Sequence, residues 1–150
     1  MSELSDYKES VTPTMNASLE WQRDGVFTAT TARGYDLDFD SANEWGCMPL
    51  ESLMMSLAGC MAIDVVSILT RMRCPASKFH MDIIGERRIE PPQRLKSVEM
   101  VLHLSGENLE DAKIQRAIAL SAEKYCSVRH SLREDIEIKT RYIIESEKPE

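Results

Sequence analysis

The feature that most constrains the fold is a long proline-free stretch between Pro49 and Pro75, whose middle part, Leu53 to Leu69, is almost entirely apolar. Proline suits the first turn of a helix and ends a helix elsewhere, so we predict one helix from Leu50 to Arg73. A helix that is apolar on nearly every face is buried on every face. A chain of 150 residues would struggle to enclose such a helix alone, so we expect a second subunit.

The apolar stretch is predicted to be a core helix and not a membrane span. Asp64 and Ser56 interrupt it, and it is shorter than the roughly 20 residues that cross a bilayer. The polar, acidic N-terminus is unlike a secretory signal, and the net charge of −7 argues against a nucleic-acid partner. A core-rich chain with four cysteines does not depend on disulfides, so a reducing cytoplasm is the expected location.

Apolar and polar residues alternate in six segments outside this helix, which predicts six strands. A hairpin is expected at Asp24-Gly25, and a second helix is predicted from Leu109 to about Lys124, capped by Asn108. The order βββ-α-ββ-α-β indicates an α+β fold with a mostly antiparallel sheet. We expect a flexible lead-in at 1–14 and a single domain at 15–146. The six segments are 15–21, 26–31, 35–40, 79–88, 95–104 and 136–144.

The residue patterns support neither a cofactor nor a metal. The chain has no glycine-rich phosphate cradle, so no nucleotide cofactor is expected. Its cysteine spacings match no zinc module, and we predict no metal ligand. A metal set made of Cys60, Cys126 and His130 is conceivable from the residue types alone.

Cys60 is the most informative position because small residues, Ala58, Gly59 and Ala62, let other groups approach its sulfur. One interpretation is an inert, small core residue, as most free cysteines are. A carboxylate one turn away at Asp64 would favour that inert state, because it raises the pKa of a thiol. A helix that restarts at Gly59 would instead stabilise the thiolate.

Cys126 is the second candidate thiol. Three cationic or titratable neighbours, Lys124, Arg129 and His130, would lower its pKa if they face the sulfur. A solvated surface face explains the same residues equally well.

Two motifs resemble those of the OsmC/Ohr family. The first is Pro49 to Leu69, with Ser56-Leu57-Ala58-Gly59-Cys60 at its centre, and the second is Ala117 to Val128, with Glu123-Lys124-Tyr125-Cys126. Their two cysteines lie at the separation expected in that family, and the likeness covers about 15–145. The chain looks closest to the YhfA-like branch.

The resemblance implies an OsmC-like fold in an intertwined homodimer, with the long helices buried between subunits. It also implies a thiol peroxidase cycle in which Cys60 attacks a hydroperoxide and Cys126 resolves the product to a disulfide. A small dithiol would then reduce that disulfide. The corresponding activating pair would be Arg33, as electrostatic helper, and Glu51, which orients it.

The chain departs from the peroxidase branches at one position. There a glutamate directly follows the proline, whereas here Leu50 does and Glu51 comes one residue later, a rotation of roughly 100° on a helix. Neither Arg33 nor Arg23 lies in an alignable motif. Glu51 has a second interpretation, as a residue that only stabilises the helix start.

Two functions are therefore expected as alternatives. The first is thiol-dependent reduction of hydroperoxides, preferably organic ones if the methionines near Cys60 line its surroundings; core filling is the other role for those methionines. The second is a non-catalytic dimer that binds an apolar small molecule or acts as a redox sensor. Cys47 and Cys74 are expected to be bystanders in both. The methionines are Met48, Met54, Met55 and Met61.

Overall fold

Two three-stranded sheets and a long helix organise the chain, in a computed structural model that describes residues 11–147. The element order confirms the predicted α+β class and the βββ-α-ββ-α-β sequence of elements. Most of the expected lead-in, residues 1–10, lies outside the described residues. The contacts group the described chain into two units, 11–53 and 54–147, and the expectation of a single domain stays a prediction.

The N-terminal unit carries an antiparallel meander of β1 (Ala17–Arg23), β2 (Val26–Thr31) and β3 (Asp36–Asp40). The predicted hairpin joins the first two strands, with Asp24 at a positive φ of 44°. Asp and Asn tolerate that conformation better than other non-glycine residues do. The strand boundaries therefore follow the turn chemistry of the sequence closely.

The two faces of this meander differ in polarity. On one face, hydrogen bonds join Thr28 to Asp38 and Thr30 to Asp36, at 2.7 and 2.6 Å. The other face is apolar, since Leu19 pairs with Ala29 and Trp21 pairs with Phe27. Alternation predicted a half-buried first strand, and this was wrong for the single chain, because every residue of β1 is exposed. Leu19 and Trp21 are 61% and 65% exposed.

Helix α1 (Pro49–Arg71) matches the predicted helix to within two residues at its C-terminal end. It ends because Arg73 adopts a positive φ of 57° and the Cys74 N–H turns back to the Leu69 carbonyl at 2.9 Å. Leu57, Met61 and Val65 are fully buried, as the repeat of one helix face predicts.

The prediction that α1 is buried all round does not hold within one chain. Leu53, Met55 and Ile63 are 38–44% exposed. The reason is that a chain of this length has too few other elements to enclose the helix, so the elements that pack on α1 cover only part of its surface. The helix is long and apolar enough to span a membrane by length and composition, a test that core helices of soluble proteins also pass.

The second sheet joins β4 (Lys78–Arg87), β5 (Leu95–Ser105) and β6 (Glu137–Ile144) in that order. The β4–β5 pair is antiparallel and the β5–β6 pair is parallel. A parallel pair needs a long crossover, and here the crossover is the helical segment before β6. One face of β5 forms the core with Val98, Met100, Leu102 and Leu104, all fully buried.

The helical segment before β6 differs from the prediction in its boundaries and its type. Helix α2 is Asp111–Leu120, a π-helical segment covers Ser121–Tyr125, and helix α3 is Ser127–Ser131. The expected cap at Asn108 is wrong: Glu110 occupies the N-cap, and its side chain makes no capping hydrogen bond. The Asn108 carbonyl instead accepts a hydrogen bond from the Cys74 thiol at 3.2 Å.

Candidate functional site

Two side chains of α1, Cys60 and Asp64, and one that is distant in sequence, Cys126, come together in the second unit. One ligand atom from each, the two sulfurs and a carboxylate oxygen, lies within 4.8 Å of the other two. Cys60 and Asp64 are four residues apart on α1 and so share one face of the helix. His130, the third member of the metal set considered from sequence, is not part of this group.

The π-helical segment positions Cys126. Its defining hydrogen bond runs from the Cys126 N–H to the Ser121 carbonyl at 2.8 Å, five residues back. π-Helical turns are rare and occur frequently at functional sites. Cys126 then forms the N-cap of α3, where its sulfur accepts the Arg129 N–H at 3.4 Å. The thiol is thereby fixed beside α1.

Ser121 also fixes the carboxylate. Its hydroxyl donates to Asp64 Oδ2 at 2.8 Å, and both residues are buried. A buried carboxylate requires such partners, because burial of an unsatisfied charge is costly. Sequence reasoning placed Ser121 in the second motif without assigning it a role, and no local pattern could have linked it to a residue 57 positions away.

Burial raises the pKa of the Cys126 thiol to about 11. The neighbouring Cys60 thiol and the charge of Asp64 act in the same direction, while the Arg129 N–H opposes them. The expectation that nearby cations lower this pKa is therefore wrong in its net direction. Lys124 lies over the Tyr125 ring instead, 5.3 Å from its centroid, and His130 is exposed.

Exposure distinguishes the two thiols. Cys126 is fully buried, whereas Cys60 is half-buried. Cys60 is therefore the less enclosed residue of the two in the single chain. Gly59, beside Cys60, has open space where a Cβ would lie, so the close approach of another group that we predicted from the small neighbours is not seen at this position in the single chain.

Arg33 and Glu51 lie in the N-terminal unit. Arg33 occupies the exposed turn before β3, and within residues 11–147 it forms no ion pair. Glu51 accepts the Met48 N–H at 2.8 Å at the start of α1, which is the geometry of an N3 residue that caps its helix. The helix-start interpretation of Glu51 thus has a visible contact, and the catalytic roles of both residues stay predictions.

The other two cysteines lie apart from this cluster. The Cys47 thiol points to the Asp38 carbonyl at 3.6 Å in the N-terminal unit. Cys74 is fully buried and bonded to Asn108. All four cysteines are free thiols. That Cys47 and Cys74 are bystanders stays a prediction.

Comparisons with known proteins identify relatives of this chain. The family model for OsmC-like protein matches residues 41–141. Protein YhfA of Escherichia coli K12 is 34% identical over 129 residues, which cover 85% of this chain and 96% of YhfA.

Solved structures share the fold. A hypothetical protein from Aquifex aeolicus VF5 is 26% identical, with a TM-score of 0.82 over 91% of this chain and all of that one. The organic hydroperoxide resistance protein OhrB of Bacillus subtilis is 14% identical, with a TM-score of 0.59 over 87% of this chain and 98% of its own. The resemblance inferred from the two cysteine motifs is confirmed, and the chain belongs to the OsmC-like protein family.

Proposed function

We propose that this protein reduces organic hydroperoxides with Cys60 and Cys126 as a reactive thiol pair. The observation that supports this best is that the two sulfurs lie within 4.8 Å of each other, a separation that side-chain movement would have to close to about 2.05 Å for a disulfide. The solved relative named for organic hydroperoxide resistance shares the fold. Hydroperoxide reduction is thus the chemistry that this thiol pair and the family both favour.

The exposure of each thiol suggests its step. The sulfur of Cys60, the half-buried residue, attacks one peroxide oxygen, the O–O bond breaks, and an alcohol leaves as Cys60 becomes a sulfenic acid. The buried Cys126 sulfur then attacks the Cys60 sulfur, the S–O bond breaks, and water leaves. The two thiols have lost two electrons to the peroxide, and a small dithiol returns them by exchange.

Asp64 has two opposing effects on this reaction. Its carboxylate oxygen lies within 4.8 Å of both sulfurs, so a closer approach would let it accept the proton of either thiol and pass it to the leaving alkoxide or hydroxide. Its charge also disfavours the Cys126 thiolate. An activating cation would offset that charge, and Arg33 remains our proposal for it, with Glu51 as its orienting partner. The Arg33 guanidinium has no ion pair among the described residues, so it is available to another group.

The test is to titrate the reduced protein with one equivalent of cumene hydroperoxide and to count free thiols. We expect rapid loss of two thiols per chain, and we expect Cys60→Ser to abolish it. Cys47→Ser is the matched control, because Cys47 is also half-buried but lies outside the cluster; it should react like the wild type. No thiol loss over minutes, or loss that persists in Cys60→Ser, would contradict the proposal.

The alternative is a non-catalytic protein that binds an apolar small molecule or senses redox state. The raised pKa of Cys126 favours it, because a neutral thiol is a poor nucleophile. Met61 is fully buried in the core and Met55 is 44% exposed, so one methionine fills the interior while another is open to a ligand. Stable thiols in the titration above would favour this second function.

We also propose that the protein works as a homodimer in a reducing compartment such as the cytoplasm. The exposed apolar residues on β1 and α1 support a dimer, since large apolar patches on a chain commonly mark an interaction surface. The four free thiols support a reducing location.

A further inference from the structure

The cluster of Cys60, Asp64 and Cys126 contains two sulfurs and a carboxylate oxygen. These are the atoms with which proteins bind zinc, at about 2.3 Å for sulfur and 2.0–2.2 Å for oxygen. Around one tetrahedral ion, such donors lie about 3.3–3.8 Å apart. The three atoms already lie within 4.8 Å of one another, so only a small contraction separates the cluster from a coordination shell.

The helical spacing of two donors suits a shared ion. Cys60 and Asp64 stand four residues apart on α1, the spacing with which two side chains of a helix bind one zinc in metalloprotease motifs. Cys126 approaches from the π-helical segment. Three protein donors leave a fourth position open, which is typical of exchangeable or catalytic zinc and not of closed structural sites.

The surroundings orient the donors in the way that metal ligands usually require. Ser121 donates to Asp64 Oδ2 at 2.8 Å, and the Arg129 N–H reaches the Cys126 sulfur at 3.4 Å. Outer contacts of this kind fix ligand geometry and tune affinity. Asp64 and Cys126 are 5% and 0% exposed, and a cation would offset the charge that two thiolates and a carboxylate bring together there.

We propose that the reduced protein binds one thiophilic divalent cation of the zinc class through Cys60, Cys126 and Asp64. Formation of the Cys60–Cys126 disulfide removes two of the three donors and releases the ion. With a hydroperoxide as oxidant, the two thiolates give two electrons to the O–O bond; with two protons, the products are disulfide, alcohol, water and the free cation. The binding step stands independently, and only the release by hydroperoxide rests on the proposed function.

The test is a competition between the reduced full-length protein and a chromophoric chelator for Zn²⁺. We expect one Zn²⁺ per chain, with affinity at least about tenfold weaker in Asp64→Asn and weaker still in Cys60→Ser and Cys126→Ser. Cys47→Ser should bind like the wild type. Co²⁺ in place of Zn²⁺ should give thiolate-to-metal charge-transfer bands that both site-cysteine variants lose.

A test on the wild-type protein does not depend on whether the variants fold. Wild-type protein oxidised with diamide should bind no Zn²⁺ and should regain binding after reduction. Absence of stoichiometric binding by the reduced wild type, or unchanged binding in Asp64→Asn, would overturn the site as proposed. A protein that consumes cumene hydroperoxide without binding Zn²⁺ would refute this inference alone, and one that binds Zn²⁺ but leaves the peroxide intact would refute only the peroxidase function.

Discussion

At the scale of single residues, the environment of Cys126 is set by side chains remote in sequence. Burial, Cys60 and Asp64 raise the pKa of its thiol. Among its neighbours in sequence, only the Arg129 N–H contributes, and it lowers that pKa. A protonated thiol becomes reactive only when a base removes its proton or a metal ion displaces it. The proposed peroxidase function and the proposed zinc site both depend on Cys126.

The raised pKa of Cys126 predicts a specific pH dependence of stability. The thiol binds its proton more tightly in the folded protein, with a pKa of about 11 against 9.0. Its contribution to the free energy of unfolding is therefore complete below pH 9 and is lost as the pH rises toward 11. We expect the free energy of unfolding of the reduced protein to fall more steeply over that window than that of Cys126→Ser. Denaturant unfolding across the window measures this, and equal slopes in the two proteins would contradict it.

At the scale of elements, a polar network on one face of the second sheet joins three strands. His103 on β5 bonds to Asp82 on β4 at 3.0 Å and to Glu145, just beyond β6, at 2.7 Å. His80, directly opposite His103, bonds to Asp82 at 3.0 Å. Among residues 11–147, the parallel strand β6 pairs with β5 alone, so this contact helps to hold its end in register.

We predict that this network stabilises the sheet more in mild acid than at alkaline pH. Glu145 first, and Asp82 second, raise the pKa of His103 above 6.5. The stabilisation is therefore complete below pH 6.5 and is lost as the pH rises through the pKa of His103 in the folded protein. His103→Gln should lower the melting temperature more at about pH 5.5 than at about pH 8.5.

The matched control for this experiment is His80→Gln. The His80 side chain is 70% exposed and contacts only one of the two carboxylates that bind His103, so its loss should have the smaller effect. An equal drop in melting temperature for His103→Gln at both pH values would show that the network makes no charge-dependent contribution.

At the scale of the whole molecule, the chain leaves two apolar surfaces exposed that a globular protein rarely leaves open. One is the Leu19 and Trp21 face of the first sheet, and the other is the face of α1 that carries Met55 and Ile63. Burial of apolar area is worth about 25 cal/mol per Å², so covering them with a second copy would yield a large stabilisation. This is the physical basis for the proposed homodimer.

Substitution on the first sheet tests that dimer. We expect Trp21→Lys to weaken dimerisation at least about tenfold, because a charge would enter an apolar interface. Glu20→Lys, on the opposite and polar face of the same strand, should leave the dimer intact. Size-exclusion chromatography with light scattering measures both. A monomeric wild type, or a Trp21→Lys variant as dimeric as Glu20→Lys, would argue against this surface.

Several elements were predictable because their signals are local. Asp24-Gly25 specifies a hairpin by backbone preference. Pro49 begins α1 because its fixed φ suits a first turn, and Pro75 limits how far the helix can extend. The change from α-helix to π-helix after Leu120 was not predictable from the local pattern. The chain stays helical, and only the hydrogen bonds change, from a partner four residues back to one five residues back. That small change decides where Cys126 points.

The sequence by itself determined the class of fold and the limits of the long helix, because periodicity and proline act over short spans. Its two motifs also resembled one family, and that resemblance made Cys60 and Cys126 the candidate pair. Only the tertiary structure decided that Asp64 and Ser121 join those cysteines and that Cys126 holds its proton. It did so because a pKa depends on burial and on charges a few ångströms away. Such distances are set by packing between α1 and the π-helical segment, and no stretch of sequence contains them.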